Sequence, residues 1–551
     1  MTKNWWRGAV IYQVYPRSFM DANRDGIGDL AGITSKLEYI AGLGVDAVWI
    51  SPIFESPMKD FGYDVSDYRN IDPLFGTLSD FDALVAKAHR LGLKVMIDQV
   101  LSHSSDRHPW FMESRTSRDN PKADWYVWAD TRPDGSPPNN WLSVFGGSSW
   151  SWDTRRKQYY LHNFLAEQPD LNYHHPAVQA QVLEDIRFWL ERGVDGFRFD
   201  TSNYFHHDQA LRDNPPLQEA WQPATLPANP YDMQRHLHDK NRPENTAFFE
   251  RIRGLLDEYG AASVGEVGDA EALDLMIDYT RGGKRLHMTY SFAFLNQHNH
   301  ADHVRRHAAE FEQAAAAGQT GSWPCWTVGN HDSVRVLSRW NGLQAPADFM
   351  RLVMAMLFSL RGSACWYQGD ELGLPEAELA FEDLVDPPGI AFWPEYKGRD
   401  GCRTPIPWRI DQAHAGFSGG SDVQPWLPVV AEHLLHSVQE CEQEPEAPLH
   451  FMRHFLAWRK QQPALVAGEV EYLDGSREVL TLIRRPAQTD QGQAMLAGFN
   501  FSAEPQSVTL PAGLALSWLE LPGLPAHQQG RLDRQCLELP PYGVFFAALA
   551  D

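Results

Sequence analysis

The stretch Val194-Asp195-Gly196-Phe197-Arg198-Phe199-Asp200 decides the fold, because it ends an apolar strand in two charged groups. Ahead of it, Val178 to Arg192 carries apolar residues at helical spacing. The same unit recurs in both directions. Upstream lie Ala9 to Tyr15, Ala47-Val48-Trp49-Ile50 and Lys94 to Val100; downstream lie Ser263 to Glu266, Met288 to Phe294, Cys325 to Asn330 and Ser363 to Gln368. Helical patterns separate these runs, among them Leu30 to Leu43, a segment opened by Ser79 and Asp80 and closed by Gly92, and Val304 to Ala317. Near-continuous apolar strands alternating with helices predict a parallel sheet covered by helices. Eight such units over about 370 residues predict a (β/α)8 TIM barrel, with its functional groups at the C-terminal ends of the strands. No Gly-rich phosphate turn follows any run, which argues against the open, doubly wound alternative.

Two stretches interrupt the rhythm. Between Val100 and a helix at Pro176 lie residues rich in Trp, Pro, Asp and Gly, too many for an ordinary connection. They predict an inserted domain at residues 103–173, after strand 3. A second insertion, rich in Pro, Asn and His, runs from about residue 202 to 230 after strand 4. The barrel is then expected over residues 1–102 and 174–466. Beyond a helix around Phe455 to Lys460 the period changes to two, in Glu469 to Tyr472, Val479 to Ile483, Ala494 to Phe499 and Val544 to Phe546. That change predicts a C-terminal antiparallel β-sandwich domain over residues 467–551.

Composition narrows the function. In 551 residues, an apolar share of 43% and 20 Trp suffice for a large core, which excludes a disordered chain. With 48 Lys and Arg against 72 Asp and Glu, the net charge of −24 repels phosphate backbones and anionic bilayers, so neither nucleic acid nor membrane is an expected partner. Five cysteines, Cys325, Cys365, Cys402, Cys441 and Cys536, form no CxxC pair and suggest neither a disulfide framework nor a zinc site. The pairs His174-His175 and His206-His207 lack a third ligand at zinc spacing and read as surface or loop histidines. The opening Met1-Thr2-Lys3-Asn4-Trp5-Trp6-Arg7 carries no signal-peptide run. The longest apolar stretch, Leu352 to Leu360, falls short of the about 20 residues that span a bilayer. The expectation is a cytoplasmic monomer or homodimer.

Carboxylates mark the strand ends. Strand 3 ends in Asp98, followed by His103; strand 4 in Arg198 and Asp200; strand 5 in Glu266; strand 7 in Asn330-His331-Asp332. Residues two apart on a strand face the same side, so Arg198 and Asp200 point into the barrel while Phe199 packs outward. The adjacent guanidinium is expected to depress the Asp200 pKa and keep it ionised. Four acidic strand ends on one rim, with an arginine, two histidines and no cysteine nucleophile, suggest glycoside chemistry.

These motifs are specific. Asp98-Gln99-Val100-Leu101-Ser102-His103, Gly196 to Asp200, Gly265-Glu266, Asn330-His331-Asp332 and Gln168-Pro169-Asp170-Leu171-Asn172 together resemble an α-glucosidase of the α-amylase superfamily (glycoside hydrolase family 13), in the branch with oligo-1,6-glucosidases and short-chain maltases. The likeness runs from Trp5-Trp6 through Arg403-Thr404-Pro405-Ile406-Pro407-Trp408 and, more weakly, into the tail. It implies that Asp200 is the nucleophile, Glu266 the acid/base and Asp332 the group gripping sugar hydroxyls in the transition state. By the same resemblance His103, His331 and Arg198 bind that sugar, Tyr63 and Phe164 stack on it, and Asp60 pairs with Arg399 to close the pocket behind a non-reducing glucose. The residue after the nucleophile tracks linkage in this branch, and Thr201 implies α-1,4 preference.

The resemblance implies a retaining, exo-acting enzyme on maltose and short oligosaccharides, with glucosyl transfer to other acceptors. Its rivals on the same scaffold are an α-1,6-glucosidase, a sucrose hydrolase and a sucrose isomerase. A non-catalytic, transporter-associated relative should have lost its carboxylates, which this chain keeps. One departure is Ser102, where the family usually has the Asn that helps hold calcium between barrel and insertion, so that site is not expected. A different metal signal is Asp21-Ala22-Asn23-Arg24-Asp25-Gly26-Ile27-Gly28-Asp29, with oxygens at alternate positions around a glycine turn. Asp21, Asn23, Asp25, Ile27 and Asp29 are its expected ligands. The ion is calcium, with magnesium as the alternative, and its role is structural; no organic cofactor is expected.

Overall fold

The computed structural model describes residues 4–217, 227–269, 272–420, 422–487 and 491–550. Eight parallel strands form the barrel: β1 (Val10–Val14), β2 (Ala47–Ile50), β3 (Lys94–Val100), β4 (Gly196–Asp200), β5 (Ala262–Val267), β6 (Met288–Ser291), β7 (Cys325–Thr327) and β8 (Ser363–Tyr367). They pair in the order β6-β5-β4-β3-β2-β1-β8-β7, and a parallel bridge between Thr289 and Pro324 joins the two outer strands into a ring. Alternation sorts the side chains. Ile11, Trp49, Met96, Val264, Met288 and Cys325 fill the interior, while Val48, Val95, Ile97, Phe197 and Phe199 pack outward against helices. Charged groups on these strands therefore face inward only where the plug of apolar side chains ends, at the rim.

Two helical expectations need correction. Leu30 to Leu43 is not one helix but two short ones, Leu30–Ser35 and Leu37–Gly42, separated at Lys36. The helix Leu78–Arg90 is capped by Thr77, not by Ser79 and Asp80: the Thr77 hydroxyl accepts from Asp80 N–H and the Asp80 carboxylate reaches back to the Thr77 N–H. Asp80 is the third helical residue of a capping box.

Between β3 and the helix Pro176–Glu191, a small antiparallel sheet runs Trp128–Ala129, Gln158–Leu161, Trp150–Asp153. Its ends are tied together next to the barrel by bridges His103–Asp170 and Tyr126–Leu171. This tie fixes His103 and Gln168 relative to β3. Of the second insertion, residues 218–226 lie outside the described residues; the parts on either side wall the cavity described below.

At the C-terminal end, five antiparallel strands run Glu469–Tyr472, Val479–Arg485, Met495–Asn500, Val544–Leu549 and Leu516–Trp518, with a second sheet of Gln506–Thr509, Cys536–Leu539 and Arg531–Asp533. Val479, Ile483, Leu496 and Phe545 pack with Leu537 and Leu539 of the second sheet, whereas Leu480, Leu482, Phe499 and Phe546 join the main core. Both faces of the five-stranded sheet are thus buried. Buried Arg484 stitches this unit to the barrel, donating to the carbonyls of Ser359 (2.6 Å), Leu360 (3.0 Å), Gly468 (3.0 Å) and Glu469 (3.2 Å). Replacing it strands buried acceptors that water cannot reach, each at about 1–3 kcal/mol. Arg484→Met should lower the melting temperature by several degrees with kcat/KM intact at temperatures where the variant stays folded, as read by calorimetry and steady-state kinetics; an unchanged melting temperature would contradict this docking role.

Candidate active site

The site is built around one guanidinium. Arg198 on β4 is fully buried, and its Nη1 donates to Asp98 (2.9 and 3.1 Å) and to Asp200 (2.5 Å). Nη2 lies 2.7 Å from Glu266 Oε1 and 3.1 Å from the Tyr290 hydroxyl, which itself donates to Glu266 at 3.0 Å. The register explains the convergence: β3 and β4 pair Asp98 with Arg198, and β5 and β6 pair Glu266 with Tyr290. Gly265 on β5 leaves room for the Leu286 and Ser202 side chains. A Cβ there would stand 2.6 Å from Leu286 and 3.0 Å from the Ser202 hydroxyl, which donates to the Glu266 carbonyl at 2.6 Å.

Three carboxyls share this single cation. Burial drives the Asp200 pKa up, and Arg198 does not overcome it because the Glu266, Asp98 and Asp332 carboxylates push the same way. The expectation that Arg198 depresses the Asp200 pKa is therefore corrected: the guanidinium is divided among three acids. Burial likewise pushes Asp98 up to about 6 against Arg198. Charge balance in such a cluster favours retention of a proton by the group as a whole.

A second cluster stands at the wall. Arg399 donates to Asp60 (2.8 Å), Asp386 (2.6 Å) and Asp332 (3.3 Å), and Arg403 donates to Asp332 at 2.7 Å. Burial opposes ionisation of Asp332, but the Arg399 and Arg403 guanidiniums prevail and hold its carboxyl well below the usual carboxylate range. Burial in turn keeps His331 and His103 neutral, lowering His103 to about 4.

A cavity of about 780 Å³ opens over these groups, and Asp60, Tyr63, His103, Phe164, Asp200, Thr201, Glu266, Asp332 and Arg399 all line it. Arg198 and His331 do not; both are fully buried behind the wall. Tyr63 stacks on His331 at 5.4 Å with its hydroxyl 2.5 Å from Nε2. Phe164 packs among His103, Phe145 and Tyr204. Thr201 is left-handed at φ 43° and ψ 45° despite a β-branched side chain, a state that costs on the order of 1–3 kcal/mol. Its N–H donates to Glu266 (3.1 Å) and its hydroxyl to Asp200 (3.2 Å).

Sequence reasoning assigned no role to Tyr290, Asp386, Arg403 or Gln168. Tyr290 was accessible by counting two from inward Met288, and Arg403 and Gln168 lie in quoted motifs. Asp386 carries no local signal; only Arg399 brings it in. The Asp21–Asp29 loop is closed by Asx turns: Asp21 accepts from Arg24 and Gly26 N–H, Asp25 from Ile27, Asn23 from Asp25, and Asp29 from Ala22, Asn23 and Gly32. Among the described residues no three His, Cys, Asp or Glu side chains group to hold a metal ion, which holds for this loop and for the histidine pairs. His206 and His207 are buried and packed against His174, not exposed.

A (β/α)8 barrel whose rim gathers two reacting-type carboxyls on one arginine and a third acid under two more belongs to the glycoside hydrolases. The profile of the alpha-amylase catalytic domain matches residues 13–468, and the chain belongs to the alpha-amylase family. A probable alpha-glucosidase of Rhizobium meliloti (strain 1021) is 54% identical over 554 residues, covering 100% of this chain and 98% of the relative. The crystal structure of the alpha-glucosyl transfer enzyme XgtA matches with a TM-score of 0.93 at 53% identity over 99% of each chain. The trehalulose synthase MutB from Pseudomonas mesoacidophila MX-45 matches with a TM-score of 0.87 at 32% identity, again over 99% of each.

The wall cluster has a pH consequence. A depressed carboxyl stays ionised as pH falls until its own folded pKa is reached, so the stability Asp332 contributes is complete above about pH 4, the unfolded value, and is lost as pH falls through the folded value. Arg399→Met removes part of that protection and leaves Asp60 and Asp386 without their cation. The midpoint of acid unfolding should move to higher pH and KM should rise at least about tenfold. An unmoved unfolding midpoint would contradict the assignment.

Proposed function

We propose that this enzyme is a retaining, exo-acting α-glucosidase that removes terminal non-reducing α-1,4-linked glucose from maltose and short oligosaccharides, and that transfers glucose to other acceptors. The observation that carries the reading is the Arg399 cluster: one cation buried with Asp60, Asp332 and Asp386 closes a wall of the cavity beside the carboxyl pair. A closed wall suits a single terminal sugar and not the middle of a polymer.

In this reading Asp200 attacks the anomeric carbon while Glu266 gives its proton to the leaving oxygen, forming a β-glucosyl ester. Water or a sugar hydroxyl then attacks from the other face, Glu266 takes the proton, and the ester bond to Asp200 breaks. Sharing one guanidinium keeps the two carboxyls close, as the about 5–5.5 Å spacing of retaining enzymes requires. Asp332, ionised, strengthens its hold on ring hydroxyls as positive charge grows on the sugar. Acceptor sugars compete with water for the same ester, which supports transfer.

Thr201 lines the cavity beside Asp200, and its identity supports α-1,4 preference by family resemblance. Product NMR with maltose, isomaltose, nigerose and sucrose tests the reading: maltose should have the highest kcat/KM, and preferred turnover of isomaltose, or isomerised sucrose, would overturn it. Glu266→Gln should lose most activity on maltose and far less on activated aryl α-glucosides, whose leaving group needs no proton; equal losses would remove Glu266 as the acid.

A calcium ion in the Asp21–Asp29 loop is part of the proposal, supported by a donor set of three carboxylates, an amide and a carbonyl, all hard oxygens suited to calcium. Chelation should lower the melting temperature and leave the shape of the pH–rate profile unchanged. A crystal with water alone in the loop, together with no chelator effect, would remove the site. No helix among the described residues is long and apolar enough to cross a membrane, and all five cysteines are free, which supports a cytoplasmic location.

A further inference from the structure

The Thr201 hydroxyl, which reaches Asp200 at 3.2 Å, also hydrogen-bonds the Ser102 hydroxyl at 2.7 Å. Ser102 is 1% exposed, sits just beyond β3, and its oxygen lies 2.9 Å from His103 Nδ1. From His103 the contacts continue to Gln168 (3.1 Å), from Gln168 to Asp60 (3.2 Å) and from Asp60 to Arg399 (2.8 Å), which reaches Asp332. The result is a belt of hydrogen bonds around the cavity from Asp200 to Asp332. Every other member lines the cavity; Ser102 is the link behind it.

Thr201 needs such a link. Its left-handed backbone is unfavourable for a β-branched residue, yet that conformation is what aims the N–H at Glu266 and the hydroxyl at Asp200. The hydrogen bonds that oppose relaxation of Thr201 come from Tyr204 N–H, which donates to the Thr201 carbonyl at 2.9 Å, and, on the N–H and hydroxyl that face the site, from the two reacting carboxyls and Ser102. The carboxyls change charge during the reaction, so for the Thr201 hydroxyl it is Ser102 that supplies a constant hold.

We propose that Ser102 is a positioning residue for both reacting carboxyls: its hydroxyl holds Thr201 in the left-handed conformation from which Thr201 orients Asp200 and Glu266. The proposal rests on the reading of Asp200 and Glu266 as the reacting pair.

A double-mutant cycle on the full chain tests it, with Ser102→Ala, Thr201→Val and the double variant assayed on maltose and on an activated aryl α-glucoside, each with a pH–rate profile and a melting temperature. Ser102→Ala should lower kcat by about tenfold with little change in KM and displace the pH–rate profile. Ser102→Thr, which keeps the hydroxyl, should restore most of kcat. In the Thr201→Val background Ser102→Ala should cost almost nothing further, because the link it serves is already gone. Should Ser102→Ala not fold, Ser102→Cys, a weaker donor of similar shape, gives the same comparison at smaller amplitude. Additive losses, or an effect confined to melting temperature, would overturn the role of Ser102 alone. No turnover of either substrate by the native enzyme would overturn the functional reading and this proposal with it.

Discussion

One buried guanidinium governs this structure. Arg198 holds Asp98, Asp200 and Glu266 on strands β3, β4 and β5, and a cation removed from water is stable there only because the carboxyls surround it. The dependence is mutual: three acids at one rim would repel each other without the planar fork between them. Lysine would not replace it, because a single ammonium cannot present two nitrogens to two carboxyls at fixed spacing. The barrel supplies the setting. Its apolar plug of Trp49, Met96, Val264 and Met288 ends below Arg198 and denies the cluster any water from beneath.

The Arg399 cluster repeats the principle with a different outcome. There two arginines meet Asp332, and the acid is held ionised; at Arg198 one arginine meets three acids, and burial raises Asp200. The site thus sets two charge environments side by side, one rich in cations around Asp332 and one rich in acids around Asp200 and Glu266. Thr201 couples the pair electrically to its own backbone, at the expense of a strained conformation.

Much of this was legible in the sequence, and the reason is periodicity. β2 and β3 begin and end where their apolar runs do, and the inward direction of Arg198 and Asp200 follows from a period of two. The alpha-amylase family was legible in five short motifs. What the sequence did not carry was balance among groups from distant elements. The pKa of Asp200 depends on Glu266 and Asp98, which no local reading weighs against Arg198. Asp386 and Tyr290 enter through Arg399 and through strand register. The break at Lys36 and the cap at Thr77 were missed because apolar spacing marks a helical face and not its ends.

The central claim is that Asp200 and Glu266, held by one guanidinium, act on opposite faces of the same anomeric carbon in two successive displacements. Time-resolved proton NMR of maltose hydrolysis tests it most directly, because mutarotation is slow enough for the first-formed anomer to be seen. The account predicts that α-glucose appears first and β-glucose follows only by equilibration. β-Glucose as the first-formed product would contradict it.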